Sequence, residues 1–498
     1  MPAANPLRDA LASGRFCYMV EMVASASMPE SKLWEIAAGL AQIPEVVGAG
    51  ITSYAGGSAG HDPIRVAEGA REQGLNPNVH LTCVNHDPAG IRDALDRLMG
   101  LGMENIFAIT GDWPKGAPPE AVQFAGDSVQ LVETINEVRH ARGWPFQISV
   151  AVSPFKYTEA DCAYQYLKLE KKIAAGADFA ITQLGFDSGK SRELKRYMDE
   201  RGLKTPIFGN VYVLPPKAAE RMSKGEPPGC WVSPELLAKI QEEAKAEDKG
   251  LAARLERAAQ MAAIARGLGY AGAYIGGTHN PDHIRGIIRR AEELAPRWEE
   301  LAEEISYGAK GGFYFYDSPP PPPRPREFSQ KLFDVIEPAN TPAPLRSVLT
   351  GILRWIDRRP AAAQALEKAE LAFKKPVFGC QACGNCVLGL MEYVCPMTCP
   401  KNLRNGPCGG TSNGQCEVIP EQACIWVEVY QRAKSAHRVD ELKVYIPPRD
   451  RALQGTSSYI NYFLNRDSRP DHPKPLINIS NAQPVKEFQP QMNADTHR

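Results

Sequence analysis

Between residues 18 and 295, short β-branched or apolar runs alternate with longer amphipathic segments, and nothing else in the chain restricts the fold so tightly. The strand candidates are residues 18–24, 47–52, 79–84, 106–110, 146–152, 179–183, 207–212 and 273–276. Segments with apolar residues three or four apart follow most of them, for example residues 31–42, 64–73, 91–99, 128–142 and 161–175, the spacing of a helix with one buried face. Strands flanked this way belong in a parallel sheet covered by helices. Eight such units in about 280 residues match the size of a (β/α)8 TIM barrel. An open, doubly wound sheet is the alternative, but no G-x-G-x-x-G follows the first strand.

In barrels of this kind ligands sit at the C-terminal ends of the strands, so polar residues there carry most weight. Thr52 and Ser53 end the second strand, His80 and Thr82 lie on the third, and Thr110-Gly111-Asp112 leaves the fourth. Ser153 follows the fifth, Gln183 closes the sixth and Asn210 stands in the seventh. Glu21 is set inside the first strand among Tyr18, Met19, Val20, Met22 and Val23. A carboxyl in those surroundings is desolvated, which raises its pKa and suits it to donate a proton near neutrality. Each residue also has a plain structural reading. Glu21 could be a satisfied internal acid, Asp112 a turn residue, His80 a core histidine, Gln183 a loop cap, and Lys171 with Lys172 a solvated helix face. Convergence on one barrel mouth favours function.

Five consecutive prolines at 319–323 cannot be helix or central strand and mark an extended connector. The chain then divides into a barrel (1–305), a Pro-rich linker (306–343), a helical and cysteine-rich metal-binding domain (344–446) and an extended tail with no chemistry of its own (447–498). Eight of the twelve cysteines fall within residues 380–424: Cys380, Cys383, Cys386, Cys395, Cys399, Cys408, Cys416 and Cys424. So short a stretch, rich in Gly and Pro, cannot build a large apolar core, and its order must come from metal or disulfides. Disulfides need an oxidising compartment, and the N-terminus has neither the basic flank nor the apolar stretch of a signal peptide. No histidine interrupts the run, so all-thiolate ligation is expected, and two sites of four thiolates fit the count. The C-x2-C-x2-C opening, followed by two cysteines that each precede proline, favours iron-sulfur ligation over thiolate zinc, with one of each still open.

With a formal charge of −1 and dispersed basic residues, the chain offers no nucleic-acid surface. Nor does any apolar run reach the roughly 18 residues a membrane helix needs. A cytoplasmic protein with reduced thiols is expected.

Val20-Glu21-Met22, His80-Leu81-Thr82-Cys83, Ile109-Thr110-Gly111-Asp112-Trp113-Pro114, Ile148-Ser149-Val150-Ala151, and Lys171-Lys172 through Ala175-Gly176-Ala177 to Ile181-Thr182-Gln183 resemble, in order, the motifs of methylenetetrahydrofolate reductases. The likeness covers about residues 15–295, and the cysteine domain is similar to one that accompanies some of these reductases and to the small cysteine-rich partner subunit of acetogen enzymes. The resemblance implies an oxidoreductase of one-carbon metabolism interconverting 5,10-methylenetetrahydrofolate and 5-methyltetrahydrofolate on FAD, with FMN as the alternative flavin. Glu21 would be the general acid, Asp112 would lie near pterin and flavin, and Gln183 and Asn280 would hold the folate. Thr52, His80, Thr110, Gly111, Lys171 and Lys172 match flavin-contacting positions. Electrons would come from NAD(P)H or through an iron-sulfur or zinc centre fed by an electron-transfer partner protein, and a homo-oligomer is expected. The chain departs from the family where Gln165 replaces an acidic residue, Tyr157 stands near an expected histidine, and His279-Asn280 replaces Asn-Arg. Two other functions fit the same residues: a folate-dependent methyltransferase or demethylase using thiolate zinc, and a reductase whose cysteine domain is only a clamp for a partner subunit.

Overall fold

The computed structural model describes residues 5–52, 60–118 and 121–467, so Ser53 and the tail beyond 467 lie outside the described residues. Eight parallel strands close into a barrel in sequence order: β1 (Cys17–Val23), β2 (Val46–Thr52), β3 (Pro77–Thr82), β4 (Asn105–Ile109), β5 (Gln147–Val152), β6 (Phe179–Thr182), β7 (Ile207–Tyr212) and β8 (Gly272–Gly276). Closure through the β1–β8 pairing makes this the (β/α)8 barrel and excludes the open sheet.

Because side chains alternate along a strand, one face of each strand fills the barrel and the other meets the helices. Met19, Phe107, Phe179 and Phe208 pack the lower interior as one apolar cluster. Two residues further along the same strands, Glu21, Ile109, Ile181 and Asn210 line the open upper end. An N-terminal helix, Pro6–Ser13, not foreseen from the sequence, closes the bottom by setting Leu7 and Ala10 into the cluster of Met19, Val47 and Phe107. Its cap is fixed by Asn5, which accepts from the Arg8 N–H and donates to Glu104 at 2.9 Å and Asn105 at 2.8 Å.

The chain between the barrel and the cysteines is not extended throughout, because Phe328–Ile336 forms a helix inside the 306–343 stretch. Helices Ala343–Asp357 and Pro360–Phe378 follow, separated where the sequence places Pro360. From 380 to 424 the backbone is mostly turns, with two short 3-10 helices at Leu388–Met391 and Pro396–Thr398, and Ala382, Glu392, Tyr393, Asn402 and Asn413 take positive φ. The helix Ile425–Ser435 then sets Trp426, Val429, Tyr430 and Ala433 against Ala160, Ala163, Tyr164 and Leu167 of the barrel helix Glu159–Ala174. Trp426 and Tyr164, each 1% exposed, meet edge to face with centroids 5.5 Å apart. Burying aromatic rings of this size is worth roughly 2–3 kcal/mol each. The 159–174 helix is therefore apolar on two faces because it is covered twice, by the barrel and by the cysteine module. Between 447 and 467 the chain is partly helical, with Ser458–Phe463 packed on the 343–357 helix through Ile460, Tyr462, Phe463 and Leu353. No described helix is long and apolar enough to cross a membrane.

Candidate active site at the barrel mouth

A cavity of about 440 Å³ opens at the C-terminal ends of the strands. Glu21 reaches it because its neighbours Val20 and Met22 face the helices. Gly276 on β8 gives the carboxyl room, since a Cβ there would lie 2.7 Å from Glu21 Oε2. Burial raises the Glu21 pKa to about 7, a rise held back by the Thr52 hydroxyl. Asp112 enters the same cavity after Gly111, whose φ of +90° and contact with Val84 leave no room for a side chain. Thr52, Thr110, Lys172 and Gln183 line it as well. The Thr110 hydroxyl also accepts from the N–H of Ser128 at the start of helix Ser128–Arg142.

His80 is held edge to face against Phe107 at 4.7 Å, and burial drops its pKa to about 3, so the ring is neutral. Its Nε2, together with Ser153 Oγ and Asn210 Oδ1, is buried in the cavity wall with no protein partner. Native interiors seldom leave such atoms unmatched, and three around one cavity mark a place for a polar ligand. Lys171 and Lys172 are buried at 1% and 7% exposure, unlike a solvated helix face. Desolvation lowers both to about 7; Lys172 Nζ donates to the Ala151 carbonyl at 2.6 Å, whereas Lys171 Nζ has no protein partner and lies outside the cavity lining. Asn280 is not brought to the cavity either. Its side chain caps helix Pro281–Leu294, accepting from the N–H groups of Asp282 and His283.

Nothing in the residue pattern pointed to the second wall. Lys401, Cys408, Gly410 and Glu417 of the cysteine module line the same cavity as Glu21 and Asp112. The module is held there by its carbonyl groups: Lys156 Nζ donates to those of Gly409 (2.7 Å) and Thr411, Gln165 Nε2 to that of Cys408 (3.0 Å), and Lys168 Nζ to those of Gly406 (3.2 Å) and Pro407 (2.8 Å). Gln165, a departure from the family pattern, is thus spent on the module, where a carboxylate could not donate. Asp127 completes the seam, capping the 128–142 helix with one oxygen and accepting from the backbone N–H groups of Arg404 and Asn405 with the other.

The eight cysteines fall into two groups. Cys380, Cys383, Cys386 and Cys395 line a cavity of about 30 Å³, and Cys399, Cys408, Cys416 and Cys424 lie within electrostatic reach of one another. At Cys380, Cys395, Cys399 and Cys424 the backbone N–H two residues on donates to the sulfur, an arrangement that favours thiolate. Burial works against it, lifting Cys395 and Cys424 to about 12. Beside the first group, Arg404 keeps Nε and Nη1 buried without partners, and Lys374 Nζ sits 3.6 Å from Cys386 Sγ. Among the described residues no three Cys, His, Asp or Glu side chains are gathered closely enough to hold a metal ion as they stand.

The fold and this site define a (β/α)8 barrel protein with a polar ligand cavity at the strand ends, closed on one side by a cysteine-rich module. Residues 6–264 match the family model described as methylenetetrahydrofolate reductase, and residues 360–452 match one described as methylene-tetrahydrofolate reductase C terminal. The first match spans just over half of the chain, and the chain belongs to the methylenetetrahydrofolate reductase family. It is 30% identical over 178 residues to a probable methylenetetrahydrofolate reductase (NADH) of Oryza sativa subsp. japonica, covering 32% of this chain and 29% of that protein. It is 36% identical over 116 residues to the 5,10-methylenetetrahydrofolate reductase of Escherichia coli (strain K12), covering 23% and 36%. The matches thus span about a third of these curated relatives. Among solved structures, a Clostridium thermocellum protein described as binding two copies of 5-methyl-5,6,7,8-tetrahydrofolic acid aligns with a TM-score of 0.44 at 12% identity, over 58% of this chain and 99% of that one.

Proposed function

We propose that the chain is a flavin-dependent methylenetetrahydrofolate reductase, interconverting 5,10-methylenetetrahydrofolate and 5-methyltetrahydrofolate. The observation that carries this is one cavity joining Glu21, a carboxyl with a pKa of about 7, to Asp112, Gln183 and three unpartnered buried polar atoms. In the reducing direction Glu21 gives its proton to the folate nitrogen that leaves as the imidazolidine ring opens, and the resulting iminium carbon is the hydride acceptor. Asp112 and Gln183 hold the pterin, and the apolar wall of Ile109, Ala151 and Ile181 keeps water from the reacting carbon. A flavin, when bound, supplies or takes the hydride. The residues suit one: His80 Nε2 and Asn210 Oδ1 are open to a polar ring, and Lys172, which lines the cavity, would regain its charge beside a phosphate. Because Gln165 and the 406–411 segment occupy one edge of the cavity, FMN remains a candidate beside FAD.

Residues 1–305 form the catalytic barrel in this reading, and 344–446 a metal module that exchanges electrons with it. Two all-thiolate quartets suit iron-sulfur or zinc, and the unpartnered guanidinium nitrogens of Arg404 suit a site of net negative charge. Cys408 belongs to the second quartet and to the cavity lining at once, which favours an electron port over a remote clamp. NAD(P)H is the other electron source, in keeping with the names of relatives that specify NADH or NADPH. The test is anaerobic incubation of the purified protein with 5-methyltetrahydrofolate and an artificial electron acceptor. Reduction of the acceptor with formation of 5,10-methylenetetrahydrofolate is expected. Methyl transfer to an added thiol, with no electrons reaching the acceptor, would favour the zinc methyltransferase instead.

A further inference from the structure

Lys401 is a lysine of the cysteine module whose ammonium group ends inside the barrel. It is 2% exposed, donates to the Gly111 carbonyl at 2.9 Å, is paired with the equally buried Glu417, and lies 5.6 Å from the centroid of Phe124. Taking a lysine and a glutamate out of water is costly before their attraction is counted. A clamp would not need that pair at the cavity wall, since the two parts already meet through the Trp426 cluster, the Lys434–Glu159 ion pair and the Lys443–Glu170 ion pair. What Lys401 adds is a grip on the carbonyl of the residue between Thr110 and Asp112, at a turn whose positive φ lets its peptide planes reorient easily.

We propose that Lys401 is a positioning residue of the barrel site, supplied by the cysteine module, which fixes the Thr110–Gly111–Asp112 turn and so sets the Asp112 carboxylate in the cavity. Glu417 holds the lysine in place. The barrel site is then incomplete without the module, whatever metal the module carries. The inference deepens the folate reading and rests on it for the role of Asp112.

The test compares the double variant Lys401→Met/Glu417→Gln, which removes both charges together, with Lys401→Arg, Glu417→Gln and Lys443→Met in the full chain. The double variant is expected to lose about tenfold or more in kcat for 5-methyltetrahydrofolate oxidation, with a smaller change in KM, because misplaced contacts cost rate before binding. Lys401→Arg should keep at least about a third of the rate, and Glu417→Gln, which loosens the lysine without removing its charge, should fall between wild type and the double variant. Lys443→Met, cutting an ion pair away from the cavity, should be kinetically silent. Amide hydrogen exchange at residues 110–113 should rise in the double variant and not in Lys443→Met. A double variant with wild-type kcat and KM, or an arginine variant as slow as the double one, overturns the proposal. Should the double variant not fold, a Glu417→Gln protein with wild-type kcat and wild-type exchange at residues 110–113 does the same. Exchange needs no turnover, so a wild type inactive on folate would count against the functional reading, while protection at 110–113 still judges Lys401.

Discussion

The cavity has two walls of different origin. The barrel wall is periodic: Glu21, His80, Ile181 and Asn210 point inward because each stands on the inner side of a pleated strand. The module wall has no period, since Lys401, Cys408 and Glu417 come from turns held by lysine-to-carbonyl bonds. A strand wall is rigid and set by backbone hydrogen bonds, whereas the loop wall depends on docking. Bond-making chemistry belongs on the first, and control of access or electron supply on the second.

The largest effect that separates the walls is expected from Glu21→Gln. It should lower folate turnover about 10²–10⁴-fold, the usual range for losing a general acid, without disturbing the cysteine module, as judged by metal content. In the wild type, reduction of the methylene substrate needs protonated Glu21 and should fall as pH rises through about 7. Oxidation of the methyl substrate needs the carboxylate and should rise over the same range. Next in size is Trp426→Ala, which empties the seam between module and barrel and should cost about 3–5 kcal/mol, read by denaturant unfolding, and should carry activity down with it.

Smaller is the stability effect of Glu21 itself. Burial raises its folded pKa from 4.5 to about 7, so the folded state binds the proton more tightly than the unfolded chain. That stabilisation is complete below 4.5 and lost as pH rises through about 7. Glu21→Gln should therefore gain up to roughly 3 kcal/mol at pH 8 and almost nothing at pH 4.5. Smallest is Trp355→Ser on the outer face of the module, 57% exposed, which should stay within about 0.5 kcal/mol of wild type.

These differences explain what could be read in the chain beforehand. The eight strands were legible because burial on both faces leaves a run of apolar residues, and the raised pKa of Glu21 followed from its strand neighbours. Lys171 and Lys172 looked like a solvated face because their helix is covered twice, by the barrel, where Lys172 meets the Ala151 carbonyl, and by the module around Trp426, some 250 residues away in sequence. Gln165 looked like a lost cofactor contact for the same reason. Lys401 and Glu417 carry no pattern at all; only the docking of one part on the other gives them a place beside Asp112. The division of the cysteines into Cys380–Cys383–Cys386–Cys395 and Cys399–Cys408–Cys416–Cys424 follows chain order, yet spacing alone left their pairing open.

The central claim, that the barrel mouth carries folate redox chemistry on a flavin, is tested most directly by the visible spectrum of anaerobically purified protein before and after addition of 5-methyltetrahydrofolate. A yellow protein whose flavin absorbance bleaches on addition, and does not bleach in Glu21→Gln, is the expected result. A colourless, zinc-containing protein with no flavin and no spectral response would contradict it.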